Sequence, residues 1–262
     1  MLSGGNVAFV GLGSSGQTGI YLATSSAGAC PNTFDFTFSG TQYADCFREL
    51  LRGDQIAAGP DVSGTGHDSL VFTGIAGSGS ATWLTVYDAT PTTAAPGPTF
   101  GAETLCADVI FARFNNIKGA GVVALFREGV GQQGIALVVS DAGNTDLLRL
   151  VTVDGDPAKQ GKVNALATVP LHNGIAENEW YRLIMTVDPV TPLVTGQVFA
   201  HVDPRDAASS LGAQVGTTLS YSLALPASVT SPGENGILAQ AISAAVDLSV
   251  TNFSNDATRC AQ

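Results

Sequence analysis

Helical periodicity is almost absent from this sequence, and that absence constrains the fold more than any other feature. Only residues 43–51 (YADCFRELL), bounded by Gly40 and Gly53, have a helix-compatible composition, and a helix of about two turns is expected there. Elsewhere short runs of alternating or β-branched residues recur. Strands are expected at 33–38, 69–73, 82–87, 108–114, 121–127, 134–139, 147–153, 163–169, 181–187, 196–201, 217–223, 237–241 and 246–253. Gly, Asn and Asp turns separate nearly all of them, at the spacing of a β-sandwich. The 31 glycines among 262 residues suit a chain that turns this often. The expected class is all-β.

Charge narrows the partners. Acidic side chains outnumber basic ones by 22 to 11, a formal charge of −11, so nucleic acid and anionic membrane surfaces are repelled. Charged residues are only 13% of the chain and hydrophobic ones 45%, which is the balance of a folded protein with a large core. No apolar run approaches the roughly 18 residues of a membrane span. The cysteines, Cys30, Cys46, Cys106 and Cys260, form no CxxC motif and imply disulfides and an extracellular setting, although spacing alone leaves every pairing open. Residues 1–30 lack both the basic start and the continuous apolar stretch of a secretory signal, so either a signal was removed ahead of Met1 or the sequence is an expressed fragment. The triplet Asn252-Phe253-Ser254 has the glycosylation pattern but falls within an expected strand.

Two units are expected. Residues 1–30 form a Gly-rich β-hairpin arm, with Val7 and Phe9 on one face, a turn over 11–19, and a return strand at 20–24. Residues 31–262 form one β-sandwich domain. The Ala/Pro/Thr-rich segment 89–98 is read as a crossover loop, because Trp83, Tyr87 and Phe111 on either side of it belong to one core.

From Phe34 onward the order of segments resembles the concanavalin A-like lectin/glucanase superfamily in its laminin-G-like jelly-roll form. The resemblance rests on FDFTFSG, ADVIFARFNNIKGAGVVALFRE, GIALVVSDAGNTDLLRLVTVD, ENEWYRLIMTVDPVTPLVTGQVFAHVDP and ILAQAISAAVDLSVTNF, covering about residues 33–256. It implies two antiparallel sheets in which the strand at 246–253 lies beside that at 108–114. Cys106 would then bond Cys260, leaving Cys30 to bond Cys46. It also implies a structural Ca²⁺ at Asp35 and Asp247, with acidic turns around Asp141, Asn144 and Asp146, or Asp154 and Asp156, as alternatives. The hairpin VAFVGLGSSGQTGIYLATSS resembles one unit of a bacterial extracellular repeat.

Catalytic patterns are missing. Glycan-cleaving members of the superfamily carry E-x-D-x-E; the nearest approach here is Glu177-Asn178-Glu179, which lacks the central Asp and is read as a solvated loop. There is no G-x-S-x-G elbow, and GLGSSG and GVGQQG precede no helix that would receive a phosphate. His67, His172 and His201 form no metal pair, although His201 and Asp203 share one side of a strand. Candidate ligand-binding residues are the aromatics Trp83 and Tyr87, with Arg113, Arg149 and His201; Trp180 is expected to anchor the core. The expected function is therefore a secreted, non-catalytic glycan-recognition or cell-surface adhesion module. The alternatives are a self-assembling structural protein that uses the hairpin as a strand-adding arm, with copies of itself as partners, and a glycoside hydrolase or polysaccharide lyase.

Overall fold

The computed structural model describes residues 6–12, 18–24, 30–40, 42–52, 55–75, 80–87, 101–127, 133–143, 145–155, 163–172, 174–188, 190–200, 211–222, 232–242 and 245–262. The 89–98 segment, Glu128, Asn144, Asp156, His201 and Asp203 lie outside them.

In chain order the elements are β1 (Asn6–Leu12), β2 (Thr18–Thr24), β3 (Asp35–Phe36), α1 (Gln42–Cys46), β4 (Phe47–Leu51), β5 (Ile56–Pro60), β6 (Asp68–Ile75), β7 (Ser80–Tyr87), β8 (Glu103–Arg113), β9 (Ile117–Arg127), β10 (Gln133–Asp141), β11 (Asp146–Asp154), β12 (Val163–Leu171), β13 (Trp180–Asp188), β14 (Leu193–Ala200), β15 (Leu219–Ser222), β16 (Glu234–Ile242), β17 (Ala245–Ser254) and α2 (Ala257–Cys260). One sheet runs β12-β11-β10-β9-β16-β7-β4, and the other β15-β14-β13-β8-β17-β6-β5 with β3 joined to β17. Every pairing is antiparallel. Pro170 and Pro60 fall on the outermost strands β12 and β5, where a missing N–H interrupts no interior ladder. The strands β1 and β2 pair with each other from Asn6↔Thr24 to Leu12↔Thr18 and, among the described residues, with no other strand.

Period-two alternation supplies the core between the sheets. Leu105, Ala107, Val109 and Phe111 of β8, Leu183, Met185 and Val187 of β13, and Ile237, Ala239 and Ala241 of β16 point inward and are buried. Each large side chain so buried contributes about 1.5–3 kcal/mol. Gly121 on β9 has to be glycine: a Cβ there would lie 2.0 Å from the Leu137 carbonyl oxygen and 2.9 Å from Leu183 Cδ2. An aromatic cluster of Phe34, Phe36, Phe38, Tyr43, Phe47, Tyr87 and Phe253 closes one part of this core, with ring centroids 4.7–6.5 Å apart along the chain of contacts.

The outer face of the seven-stranded sheet is apolar as well. Leu51, Leu84, Val86, Val123, Phe126, Ala136, Val138, Val151, Val153 and Leu238 form a second buried cluster there. This explains why β7, β9 and β10 read as nearly continuous hydrophobic runs rather than as alternating ones.

Two local expectations are corrected. The helix expected over 43–51 ends at Cys46, and FRELL is strand β4. A register shift between Glu49 and Leu51 turns Phe47 toward the inter-sheet core and Leu51 toward the outer cluster, so an i, i+4 pair that looks helical serves two faces of a bulged strand. The 56–60 strand, IAAGP, had no alternation to announce it; it pairs with β6 from Ile56↔Phe72 to Pro60↔Asp68.

Both disulfides implied by the resemblance are present. Cys30 bonds Cys46 with the Cα atoms 5.7 Å apart, and Cys106 bonds Cys260 with the Cα atoms 5.5 Å apart. Strand β17 does pair with β8, and Ser254↔Cys106 brings the chain end to Cys106. On the outer face of the eight-stranded sheet Asp108, fully buried, accepts hydrogen bonds from Arg182 Nε (2.7 Å), Arg182 Nη2 (2.6 Å) and Asn252 Nδ2 (2.6 Å). Arg182 also donates to the Arg259 carbonyl of α2 (2.8 Å), which ties the terminal helix to the sheet. The Asn252 amide, part of the glycosylation-type triplet, is occupied by this contact.

Candidate functional site

At one end of the sandwich the strands β8 and β13 run out beside the start of α2. They leave an open pocket of about 530 Å³ lined by Glu103, Thr104, Thr186, Asp188, Asn255 and their neighbours. The register Glu103↔Val187 and Thr104↔Thr186 puts the two threonines opposite each other, and their hydroxyl oxygens are 3.2 Å apart. Asp188 is held by the β13–β14 turn: its carboxylate accepts from the Val190 and Thr191 amides and the Thr191 hydroxyl. Those bonds keep it below the usual carboxylate range.

Glu103 is the unusual member. It lies at the inward phase of β8, in line with Leu105 and Ala107, and faces Asn235, which holds the same phase of β16 two residues before Ile237. Asn235 is fully buried and its Nδ2 donates to Glu103 Oε2 at 2.8 Å, joining the two sheets. The other oxygens of the pair, Glu103 Oε1 and Asn235 Oδ1, are buried without a hydrogen-bond partner. Burial pushes the Glu103 carboxyl up to about 7, against the opposing effect of the Asn235 hydrogen bond and of the neighbouring Asn255 amide. The sequence marks both residues, because each puts a polar side chain where the strand's alternation calls for an apolar one.

The aromatic candidates lie elsewhere. Trp83 and Tyr87 have no exposed surface, so neither presents a face for stacking on a sugar. The Trp83 indole N–H donates to Gln55 Oε1 (2.8 Å) with the Arg52 guanidinium over its ring, while the Tyr87 hydroxyl donates to the Pro31 carbonyl. Trp180 is buried against His67, with ring centroids 5.3 Å apart, rather than in either apolar cluster. Arg113 and Arg149 do not meet either: Arg113 is opposite Asp247 on the eight-stranded sheet, and Arg149 on the seven-stranded sheet points to the Lys118 carbonyl (3.4 Å). His201 lies outside the described residues.

The proposed calcium pair does not fit a single ion. Asp35 is opposite Ser254, whereas Asp247 lies seven positions earlier on the same strand β17, roughly 23 Å away at ~3.3 Å per residue. Asp35 instead receives the Arg259 Nε at 2.8 Å. Among the alternatives, Asp141 caps the Asn116 and Gly143 amides and Asp146 the Ile175 amide. Among the described residues no group of three or more His, Cys, Asp or Glu is placed to hold a metal ion. Glu177 and Glu179 also work separately, one accepting the Phe114 amide and the other the Tyr181 hydroxyl.

No protein-family model and no curated protein matches this sequence. Solved structures do match. The Lotus tetragonolobus seed lectin has a TM-score of 0.52 at 11% identity, over 85% of this chain and 96% of that one. A peanut lectin gives 0.49 at 12% identity, over 85% and 95%, and a legume lectin-like domain from Entamoeba histolytica gives 0.49 at 9%, over 89% and 96%. At such identities the likeness shows the fold alone. The class is thereby defined: two antiparallel sheets in a concanavalin A-like jelly-roll sandwich. No described helix is long and apolar enough to cross a membrane.

Proposed function

We propose that this chain is a secreted, non-catalytic glycan-recognition module, with residues 31–262 as the recognition domain and the end-of-sandwich pocket as its site. The observation that carries this reading is the pocket's lining: Thr104 and Thr186, whose hydroxyls lie side by side, border one open cavity together with Glu103, Asp188 and Asn255. Carboxylate, amide and hydroxyl groups are complementary to the hydroxyl-rich surface of a saccharide, and a few placed polar groups of this kind fix a ligand's orientation. The jelly-roll architecture shared with the Lotus lectin is compatible with that use, and the two disulfides support an extracellular location. Recognition here works through hydrogen bonds, because the aromatic candidates are interior. A glycan array tests the reading. Saturable binding to at least one glycan class, weakened at least tenfold by Thr104→Val with Thr186→Val, supports it; no binding to any glycan overturns it. Sugar release from laminarin or alginate overturns the non-catalytic part.

A second reading rests on a different observation. Among the described residues the β1–β2 hairpin forms a sheet of its own, and residues 1–34 contain no charged side chain in a chain of net charge −11. An uncharged hairpin whose edges pair with no other described strand is suited to adding a strand to a second copy, by backbone pairing that needs no charge complementarity. Sedimentation of the full chain against a chain lacking residues 1–26 tests this arm: assembly lost on deletion supports it, and a monomer in both cases rejects it.

A further inference from the structure

We propose that Glu103 and Asn235 form a proton-operated clasp between the two sheets, closed when Glu103 is protonated and open when it is ionised. The geometry carries the argument. One bond of a two-bond ring is already present, Asn235 Nδ2 to Glu103 Oε2 at 2.8 Å. The atoms left over, Glu103 Oε1 and Asn235 Oδ1, are both acceptors, both buried, and both without a partner. Each carries the penalty of an unmet buried polar group. A single proton on Glu103 Oε1 removes both penalties: Oε1–H donates to Asn235 Oδ1, and the carboxylic acid and the primary amide become joined by two hydrogen bonds. That proton comes from solvent through the open pocket that Glu103 lines and returns there when the acid ionises.

The surrounding groups leave this equilibrium to the pair itself. Burial is the largest influence on Glu103, with the amides of Asn235 and Asn255 acting against it. On adjacent elements Asp188 of β13 is engaged by its own turn, Glu234 of β16 faces the Arg48 guanidinium at 3.2 Å, Tyr87 of β7 is bonded to Pro31, and Asp256 caps α2 through the Thr258 amide. The closed clasp locks β8 to β16 by two hydrogen bonds; the open one leaves the sheets joined there by the Asn235 Nδ2 bond alone.

The test needs no ligand, so a failure of glycan binding leaves the clasp standing and a failure of the clasp leaves glycan binding standing. The Glu103 side-chain carboxyl carbon and the Asn235 side-chain amide are followed by NMR across pH 4–9. A common midpoint near 7 is expected. A Glu103 midpoint below pH 5, or an Asn235 amide that does not follow it, overturns the proposal. Glu103→Gln supplies a second arm, since a glutamine keeps the ring closed at every pH by donating its own amide hydrogen to Asn235 Oδ1. The thermal midpoint of the unmodified protein should fall by roughly 5–10 °C more between pH 5 and 8 than that of Glu103→Gln. Parallel curves for the two proteins overturn the proposal.

Discussion

Replacing Asp108 by Asn tests the anchor beneath the terminal helix. Asp108 has no solvent exposure, Arg182 is 5% exposed, and three hydrogen bonds of 2.6–2.7 Å converge on one carboxylate. Asparagine keeps the shape but removes the charge, which leaves the Arg182 guanidinium buried with only the Arg259 carbonyl as a strong acceptor. Loss of one partner from a buried ion pair costs about 3–5 kcal/mol. For a domain of this size that is a fall in thermal midpoint of roughly 10 °C. Arg182→Met strands the opposite charge, and a loss of similar size follows. Because neither charge is left without its counterpart in the double variant, its cost falls short of the sum by about 2 kcal/mol or more. Urea unfolding with both disulfides intact, on wild type, both single variants and the double variant, supplies the cycle. A coupling below about 0.5 kcal/mol would refute the reasoning and reduce Asp108 to a replaceable polar group.

Other outcomes follow from the same structure. Trp83→Ala destabilises by about 3–5 kcal/mol, while Trp83→Phe leaves glycan binding unchanged; a binding loss in the stable Phe variant would show that the indole reaches a ligand. Burial raises Asp61, but hydrogen bonds from Ser63, His67 and Thr65 outweigh it and hold the carboxyl well below its usual value. A depressed carboxylate stabilises above its unfolded value and loses that contribution as pH falls, so acid unfolding of Asp61→Asn should show a shallower dependence below about pH 4. Asp35 is committed to Arg259 and Asp247 is at the far end of the strand, so EDTA should leave the thermal midpoint unchanged; a fall reversed by Ca²⁺ would require a site these two residues do not make.

The sandwich was legible because most strands alternate or run β-branched between clear turns. Cys106 and Cys260 could be paired once β17 was set beside β8. Strand β5 was hidden by its small residues, and β4 by a bulge that converts a helical spacing into a two-faced strand. The site was harder to read. Residue type alone points to Trp83 and Tyr87, but the seven-stranded sheet is covered on both faces and aromatics there serve packing. Glu103 and Asn235 lie 132 positions apart and meet only because β8 and β16 end at the same mouth of the sandwich. Each could have been noticed alone as a polar residue in an apolar phase. Their partnership required the fold.

The most direct measurement is a two-dimensional amide NMR titration with the saccharide that an array identifies. Shifts should concentrate at Gly101, Glu103, Thr104, Thr186, Asp188 and Asn255, with saturation at a single dissociation constant. Shifts confined to the loops at the opposite end of the sandwich, with these residues unmoved, would contradict the assignment of the pocket.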